Sequence, residues 1–338
     1  MERENIMVKK SMLVHLKERF GEKNEWTVKP ELPRSLNIEL NNTCNHQCVF
    51  CEFHSPYSSY AKDMKLCVMD TDLACKILEQ AWELGIGKKE VGFYAAGEAF
   101  LHKDFAKIVH YAKSLGFSYT FITTNGALAT PSKLVEVVNS GLDSIRFSVN
   151  AGTRETYKKI HGKDDFDTVI NNIKFLREYL DQNNIDMNTS ISYVVTKENK
   201  KEMLILKELI NDCVDEILFI PVLGVKDWNE ELSKKLSLDE YEEKDRLENK
   251  RLSCPLLFNA MYITSAGKVK LCCDTYKTDI EVYDLNKDLN LKAAWNAPMF
   301  LKYRAAILEN NVKGTACENC HQLRQGVSRV MMDMQQGM

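Results

Sequence analysis

From residue 35 onward, short runs of β-branched and aromatic residues alternate with longer stretches whose apolar positions recur every three or four residues. The short runs fall at 35–40, 90–94, 118–123, 144–149, 189–195 and 216–220, with amphipathic stretches near 70–84, 103–115, 131–140, 166–182 and 199–213. Start and stop signals agree with these bounds. Asp70-Thr71-Asp72 opens the first helix, Thr130-Pro131 puts a proline in the first turn of the third, and Gly85, Gly116 and Gly141 stand where helices should stop. Strand–helix alternation over six units predicts an α/β fold, with a parallel sheet curled into a partial (β/α)6 TIM-like barrel.

The alternation ends after residue 220. Residues 226–250 are dense in charge and read as a solvated helix or linker rather than a binding surface. Beyond them, 259–265 and 268–273 flank Ala266-Gly267 as the strands of a hairpin would, and a helix is expected near 291–309. The chain therefore divides into a lead-in (1–33), the barrel (34–225), the charged linker (226–250), a small α+β cysteine-rich domain (251–325) and a tail (326–338).

Composition excludes several classes of partner. With 44% hydrophobic and 28% charged residues the chain is ordinary globular material. A net charge of −3 offers no basic excess for nucleic acid or an anionic membrane. No apolar run approaches the roughly 18 residues of a membrane span, and Met1-Glu2-Arg3-Glu4-Asn5 lacks a signal peptide's apolar stretch. The expectation is a cytoplasmic protein with neither nucleic-acid nor membrane partners.

Eleven cysteines, an odd total in a reducing compartment, argue for metal or redox chemistry rather than cross-links. Cys44, Cys48 and Cys51 form C-x3-C-x2-C in the loop after the first strand, where a barrel gathers its catalytic groups. Zinc would need a fourth ligand, which His46 or His54 could supply. A cubane iron–sulfur cluster held by three thiolates keeps one iron open.

This segment, with Phe50 before the last cysteine, resembles the cluster loop of radical S-adenosylmethionine (SAM) enzymes. Further segments follow in the family's order. Ala95-Ala96-Gly97-Glu98-Ala99 is similar to its Gly-Gly-Glu-Pro motif, with Ala96 and Ala99 as departures, and Thr124-Asn125-Gly126 matches its Thr-Asn-Gly turn. Ser148-Val149-Asn150-Ala151 resembles Ser-Leu-Asp-Gly with Asn150 for the Asp, and 194–199 resembles the segment facing the adenosine. The resemblance implies a [4Fe-4S] cluster on Cys44, Cys48 and Cys51, with SAM at its open iron. It implies SAM contacts from Phe50, Gly97, Glu98, Thr124, Asn125, Ser148, Asn150 and Val195, with Glu98 on the methionine ammonium. Reductive cleavage of SAM would give methionine and a 5′-deoxyadenosyl radical, the electron coming from a partner such as flavodoxin or ferredoxin.

A second set reads Cys254-x12-Gly267-x4-Cys272, then Cys317-x2-Cys320. Four thiolates close a cubane or a zinc site equally well. The set resembles the first part of the SPASM extension, and the missing later cysteines fit its shortened Twitch form, which holds one auxiliary [4Fe-4S] cluster. In that resemblance Cys272 rather than Cys273 is the ligand. The combination is most similar to aminocyclitol dehydrogenases of the butirosin type, which oxidise a secondary alcohol to a ketone.

The leading expectation is thus a radical SAM dehydrogenase of a cyclitol, sugar or similar small polar substrate. A radical SAM epimerase using a cysteine hydrogen donor, or a peptide-modifying enzyme, are the alternatives. The catalytic base is unassigned. Cys67, Cys75 and Cys213 read as buried small hydrophobes. His161 is read equally as solvated or as close to SAM.

Overall fold

The computed structural model describes residues 26–222, 225, 229–238, 254–273, 281–318 and 320. The 1–25 part of the lead-in, most of the charged linker and the tail lie outside the described residues.

The strands are β1 (Ser35–Ile38), β2 (Glu90–Phe93), β3 (Thr120–Thr124), β4 (Ser144–Ser148), β5 (Asn188–Val195), β6 (Glu216–Pro221), β7 (Ala260–Ile263), β8 (Lys268–Lys270) and β9 (Glu281–Asp284). The helices are α1 (Ser59–Asp63), α2 (Thr71–Leu84), α3 (Phe105–Leu115), α4 (Pro131–Asn139), α5 (Arg154–His161), α6 (Phe166–Gln182), α7 (Met203–Ile210), α8 (Glu230–Leu236), α9 (Leu256–Asn259), α10 (Leu291–Trp295) and α11 (Pro298–Leu308). Among the described residues the strands form one sheet in the order β6-β5-β4-β3-β2-β1-β7-β8-β9. β1 to β6 are mutually parallel, as the alternation predicts.

The sheet curls. Leu36 and Ile38 point to the helix layer and join the main core with Ile77, Leu78 and Ala81 of α2. On the other face Phe121 of β3 and Leu218 of β6 form a separate apolar cluster with Tyr94, Tyr119 and Ile220. Strands β4 and β5 lie between β3 and β6 in the sheet. Side chains from β3 and β6 can therefore meet only if the sheet bends around them, which produces the partial barrel.

The C-terminal strands do not form a detached module. β7 lies parallel to β1, pairing Ser35 with Ala260 and Ile38 with Ile263, and β8 returns antiparallel. The barrel's sheet is thus extended past β1 rather than closed onto it. At the mouth, the buried Glu39 carboxylate accepts Ser265 N–H at 3.0 Å and Ser265 Oγ–H at 2.7 Å from the hairpin turn. Its other oxygen takes Ala96 N–H at 3.1 Å.

Two local expectations need correction. The helix expected over 291–309 is two helices, because Pro298 lacks an N–H and forces Ala297 into extended backbone (φ −57°, ψ 146°). Between 141 and 165 no helix was anticipated, yet α5 forms there, capped by Thr153 and burying Tyr157, Ile160 and His161. No helix among the described residues is long and apolar enough to cross a membrane.

Candidate active site

The loop after β1 is held by contacts from its neighbours. Gln47 N–H donates to His161 O at 3.1 Å and Val49 N–H to Ile160 O at 2.9 Å, docking the loop on the last turn of α5. That turn stops at Gly162, whose φ of +68° suits glycine and whose missing Cβ would stand 3.0 Å from Gln47 O. On the other side Glu98 N–H donates to Thr43 O at 2.8 Å, and Asn41 Nδ2 donates to Glu98 O at 2.9 Å. Gly97 permits this approach, since a Cβ there would lie 2.3 Å from Asn41 O and 2.7 Å from Thr43 O.

So pinned, the loop gathers its three thiols. Burial and the charges of Cys51 and Cys44 push the Cys48 thiol well up, and burial lifts Cys44 to about 11. Burial also raises Cys51. Opposing this, His46 N–H reaches Cys44 Sγ at 3.4 Å, and backbone donors at His54 and Phe53 face Cys51. Buried sulfurs that repel one another while receiving N–H bonds suit thiolates neutralised by a metal centre. The donor set therefore fits a cluster held by three cysteines.

A competing grouping exists, because one ligand atom each from His46, Cys48 and His161 lie within 4.8 Å of one another. It uses only one of the three thiols. His46 Nε2 pairs with Asp165 Oδ2 at 3.0 Å, and His54 Nε2 donates to Ala96 O at 3.1 Å.

Glu98 is buried and joins the loops after β2 and β3. Its Oε1 accepts Thr124 Oγ1–H at 2.6 Å and Phe100 N–H at 3.1 Å, and its Oε2 accepts Asn125 N–H at 2.8 Å. Burial raises its carboxyl, and these donors oppose the rise. Cys44 feels its charge, so the carboxylate stands beside the thiols. Asn125 Nδ2 continues the network to Asn45 Oδ1 at 2.8 Å and towards Cys44 Sγ at 3.8 Å.

The remaining candidates spread along the mouth. Phe50 packs with Val194 near the end of β5 and with Val222, Val225 and Leu236 beyond β6. Ser148 is half-buried at the end of β4, opposite Ser192. The Val195 side chain lies in the main core, and its carbonyl accepts Val222 N–H at 2.9 Å. Asn150 is committed to the protein, its Oδ1 accepting Val194 N–H at 2.6 Å and its carbonyl accepting from Asn199 Nδ2 at 2.8 Å.

His161 is fully buried, so the solvated reading does not hold. Its Nδ1 lies 3.5 Å from Cys48 Sγ. Asn41, Asn45 and Glu39 are further site residues that sequence reasoning passed over. The only signal was the polar run at the exit of β1, which reads as an ordinary loop.

The second thiol set assembles from distant segments. Cys254 and Cys317 are each pushed up to about 12, chiefly by burial, and Cys320 adds to the rise at both. Leu256 and Leu257 N–H groups at the start of α9 face Cys254. Cys272 packs against the core just beyond Lys270, whose strand partner is Tyr262, so the chain there runs back towards Ala260 and Cys254. Cys273 is exposed. The two thiol sets thus lie off opposite ends of β1, the barrel set past Ile38 and the second beside Ser35.

Residues 38–210 match the model of the Radical SAM superfamily. The chain belongs to the radical SAM superfamily. Its barrel therefore binds a [4Fe-4S] cluster and SAM, and residues 254–321 match a second family, the SPASM iron–sulfur cluster-binding domain. A probable GTP 3′,8-cyclase of Saccharolobus solfataricus is 31% identical over 243 residues, covering 69% of this radical SAM chain and 72% of that protein. An uncharacterized protein of Methanocaldococcus jannaschii is 30% identical over 205 residues, 60% of this chain and 62% of that protein. Matches to probable GTP 3′,8-cyclases of Saccharolobus islandicus span 56% of their length. Streptococcus suis SuiB bound to S-adenosylmethionine superposes with a TM-score of 0.64 at 16% identity, covering 89% of this chain and 72% of SuiB. BtrN in complex with AdoMet and 2-DOIA gives 0.51 at 15% identity, over 88% of this chain and 93% of BtrN. At these identities the structural likeness concerns the fold alone.

Proposed function

We propose that this radical SAM enzyme oxidises a secondary alcohol of a cyclitol, sugar or similar polar metabolite, with the C-terminal iron–sulfur cluster as electron acceptor. The observation that carries this reading is the convergence of buried Cys254 and Cys317 with Cys320, beside a strand end that brings Cys272 towards them. Four thiolates would close that cluster, leaving no iron for a substrate and suiting it to electron transfer. When bound, the barrel cluster and SAM supply a 5′-deoxyadenosyl radical that abstracts hydrogen, and a reduced flavodoxin or ferredoxin supplies the electron.

The chain's own residues have distinct tasks. Cys44, Cys48 and Cys51 would hold the barrel cluster, and Glu98 Oε2 keeps capacity for the methionine ammonium beside Asn125 N–H. A cavity of about 710 Å³ opens between the cluster loop and the C-terminal hairpin, lined by Glu39, Glu52, Tyr60, Lys65, Ser265 and Lys270. Its charged groups and hydroxyls, set beside Phe53, Met64 and Ala96, can hydrogen-bond a polyhydroxylated substrate.

A second reading, cyclisation of a purine nucleotide, is favoured by the 31% identity to a probable GTP 3′,8-cyclase. Anaerobic incubation with SAM, reductant and a panel of cyclitols, nucleotide sugars and GTP separates the two. A ketone formed with one 5′-deoxyadenosine per turnover supports oxidation, and consumption of GTP alone overturns it.

A further inference from the structure

The His161 imidazole is oriented from two sides. Asn150 N–H donates to its Nε2 at 3.2 Å, and a nitrogen that accepts carries no proton. The ring proton therefore sits on Nδ1, the atom 3.5 Å from Cys48 Sγ. Tyr157 stacks on the ring at 4.0 Å with 12° between planes, and His46 meets it edge-on at 5.4 Å, so the ring cannot turn over without disturbing both. Asn150 is itself anchored to β5 through Val194 N–H, and α5 carries the two backbone bonds that dock the cluster loop. Donor and sulfur thus belong to one tightly tied unit.

We propose that His161 is a positioning residue that donates Nδ1–H to the Cys48 sulfur and so makes the barrel cluster easier to reduce. The proposal rests on reading Cys44, Cys48 and Cys51 as the cluster's ligands. Reduction adds negative charge that the cysteine sulfurs share, and an N–H aimed at one of them stabilises the reduced state more than the oxidised one. Hydrogen bonds to the sulfurs are among the groups that set cluster potentials, and the ring's complete burial strengthens this one. Asn150 acts through His161 by fixing which nitrogen bears the proton.

The test uses the reconstituted holoenzyme grown with [δ1-15N]histidine. The electron paramagnetic resonance signal that shifts on adding SAM identifies the barrel cluster. That signal, recorded without SAM, should carry a weak 15N coupling that disappears in His161→Asn. In potentiometric titrations His161→Phe, which has no donor, should lower the reduced-to-oxidised ratio at fixed potential by about tenfold, or about 59 mV for one electron. His161→Asn, whose Nδ2 can take the place of Nδ1, should stay within about threefold of wild type on the same scale. A SAM-responsive cluster with no 15N coupling overturns the proposal, as does a coupling as large as that of a directly bound nitrogen. Equal potentials for His161→Phe and wild type overturn it as well. Should His161→Phe fail to take up iron, the labelled wild-type and His161→Asn spectra decide together. Absence of any SAM-responsive iron signal would instead remove the cluster reading and this proposal together.

Discussion

Cys44, Cys48 and Cys51 lie on one loop that is tied down on both flanks by hydrogen bonds. Glu98 holds it from the β2 side, through Thr43 O and Asn41 Nδ2, and Ile160 and His161 hold it from α5. Cys254, Cys317 and Cys320 come from segments far apart in sequence and meet by packing of α9 and α11 against the sheet. The buried Arg304 side chain joins those helices, its Nε donating to Leu257 O at 2.8 Å and its Nη1 to Trp295 O at 2.9 Å. The first site is preorganised for geometry, as a centre that must bind and orient SAM requires. The second is assembled from distant segments, and a metal closed in by its four thiols would help to hold those segments together.

The largest effect should come from splitting the two sites by mutation. Cys48→Ala should abolish 5′-deoxyadenosine formation while the C-terminal iron remains. The double variant Cys317→Ala, Cys320→Ala should still cleave SAM yet form no oxidised product. Iron analysis, SAM cleavage and product assays on both proteins check this, and ketone formation by the double variant would break the comparison.

Next in size, Gly97→Ala forces a methyl against the Asn41 and Thr43 carbonyls, which cannot swing aside as a side chain could. Overpacking of this kind typically costs about 1–3 kcal/mol, and here it should also unseat the cluster loop. Iron retention and the thermal midpoint should both fall. Glu98→Gln comes third. Losing a charge-assisted bond worth about 1.5–3 kcal/mol should weaken SAM binding roughly tenfold to a hundredfold, measured by equilibrium titration of the loaded enzyme. Because Glu98 also accepts from Thr124, Phe100 and Asn125, some loosening of the loop should accompany the loss.

The smallest effect concerns removal of metal. In chelated, iron-free protein the amides of Gln47 and Val49 should keep their protection from hydrogen exchange, since their partners are backbone carbonyls of α5. Amides near Cys317 should lose more of theirs. Equal loss in both regions would show that the barrel loop also depends on its metal.

The same contrast explains what was legible in the sequence. The barrel's strands and most of its helices show as periodicity because each buries a stripe wide enough to read, such as Ala74, Ile77, Leu78 and Ala81 on α2. Helix α5 hides because only Tyr157, Ile160 and His161 are buried, and a histidine counts as polar in any pattern. The cysteine spacings announce two centres, but spacing says nothing about which carbonyl or imidazole a loop will meet. Asn41 reads as a loop residue and Asn150 as a SAM contact, and only the folded chain shows that they and Asn199 bridge neighbouring strand exits. The pairing of β7 with β1 was equally invisible, because strand partners over two hundred residues apart leave no local mark.

That pairing bears on how the chain is made. Emerging from the ribosome, β1 can dock on β2 early, but its other edge must wait for Ala260–Ile263 until most of the chain has been synthesised. During that interval the nascent barrel exposes a strand edge of unpaired backbone groups. Contacts between such distant segments also form slowly. The last step of folding would then seat β7 and bring Cys254 and Cys272 into place, so the second metal centre marks a chain whose sheet is complete.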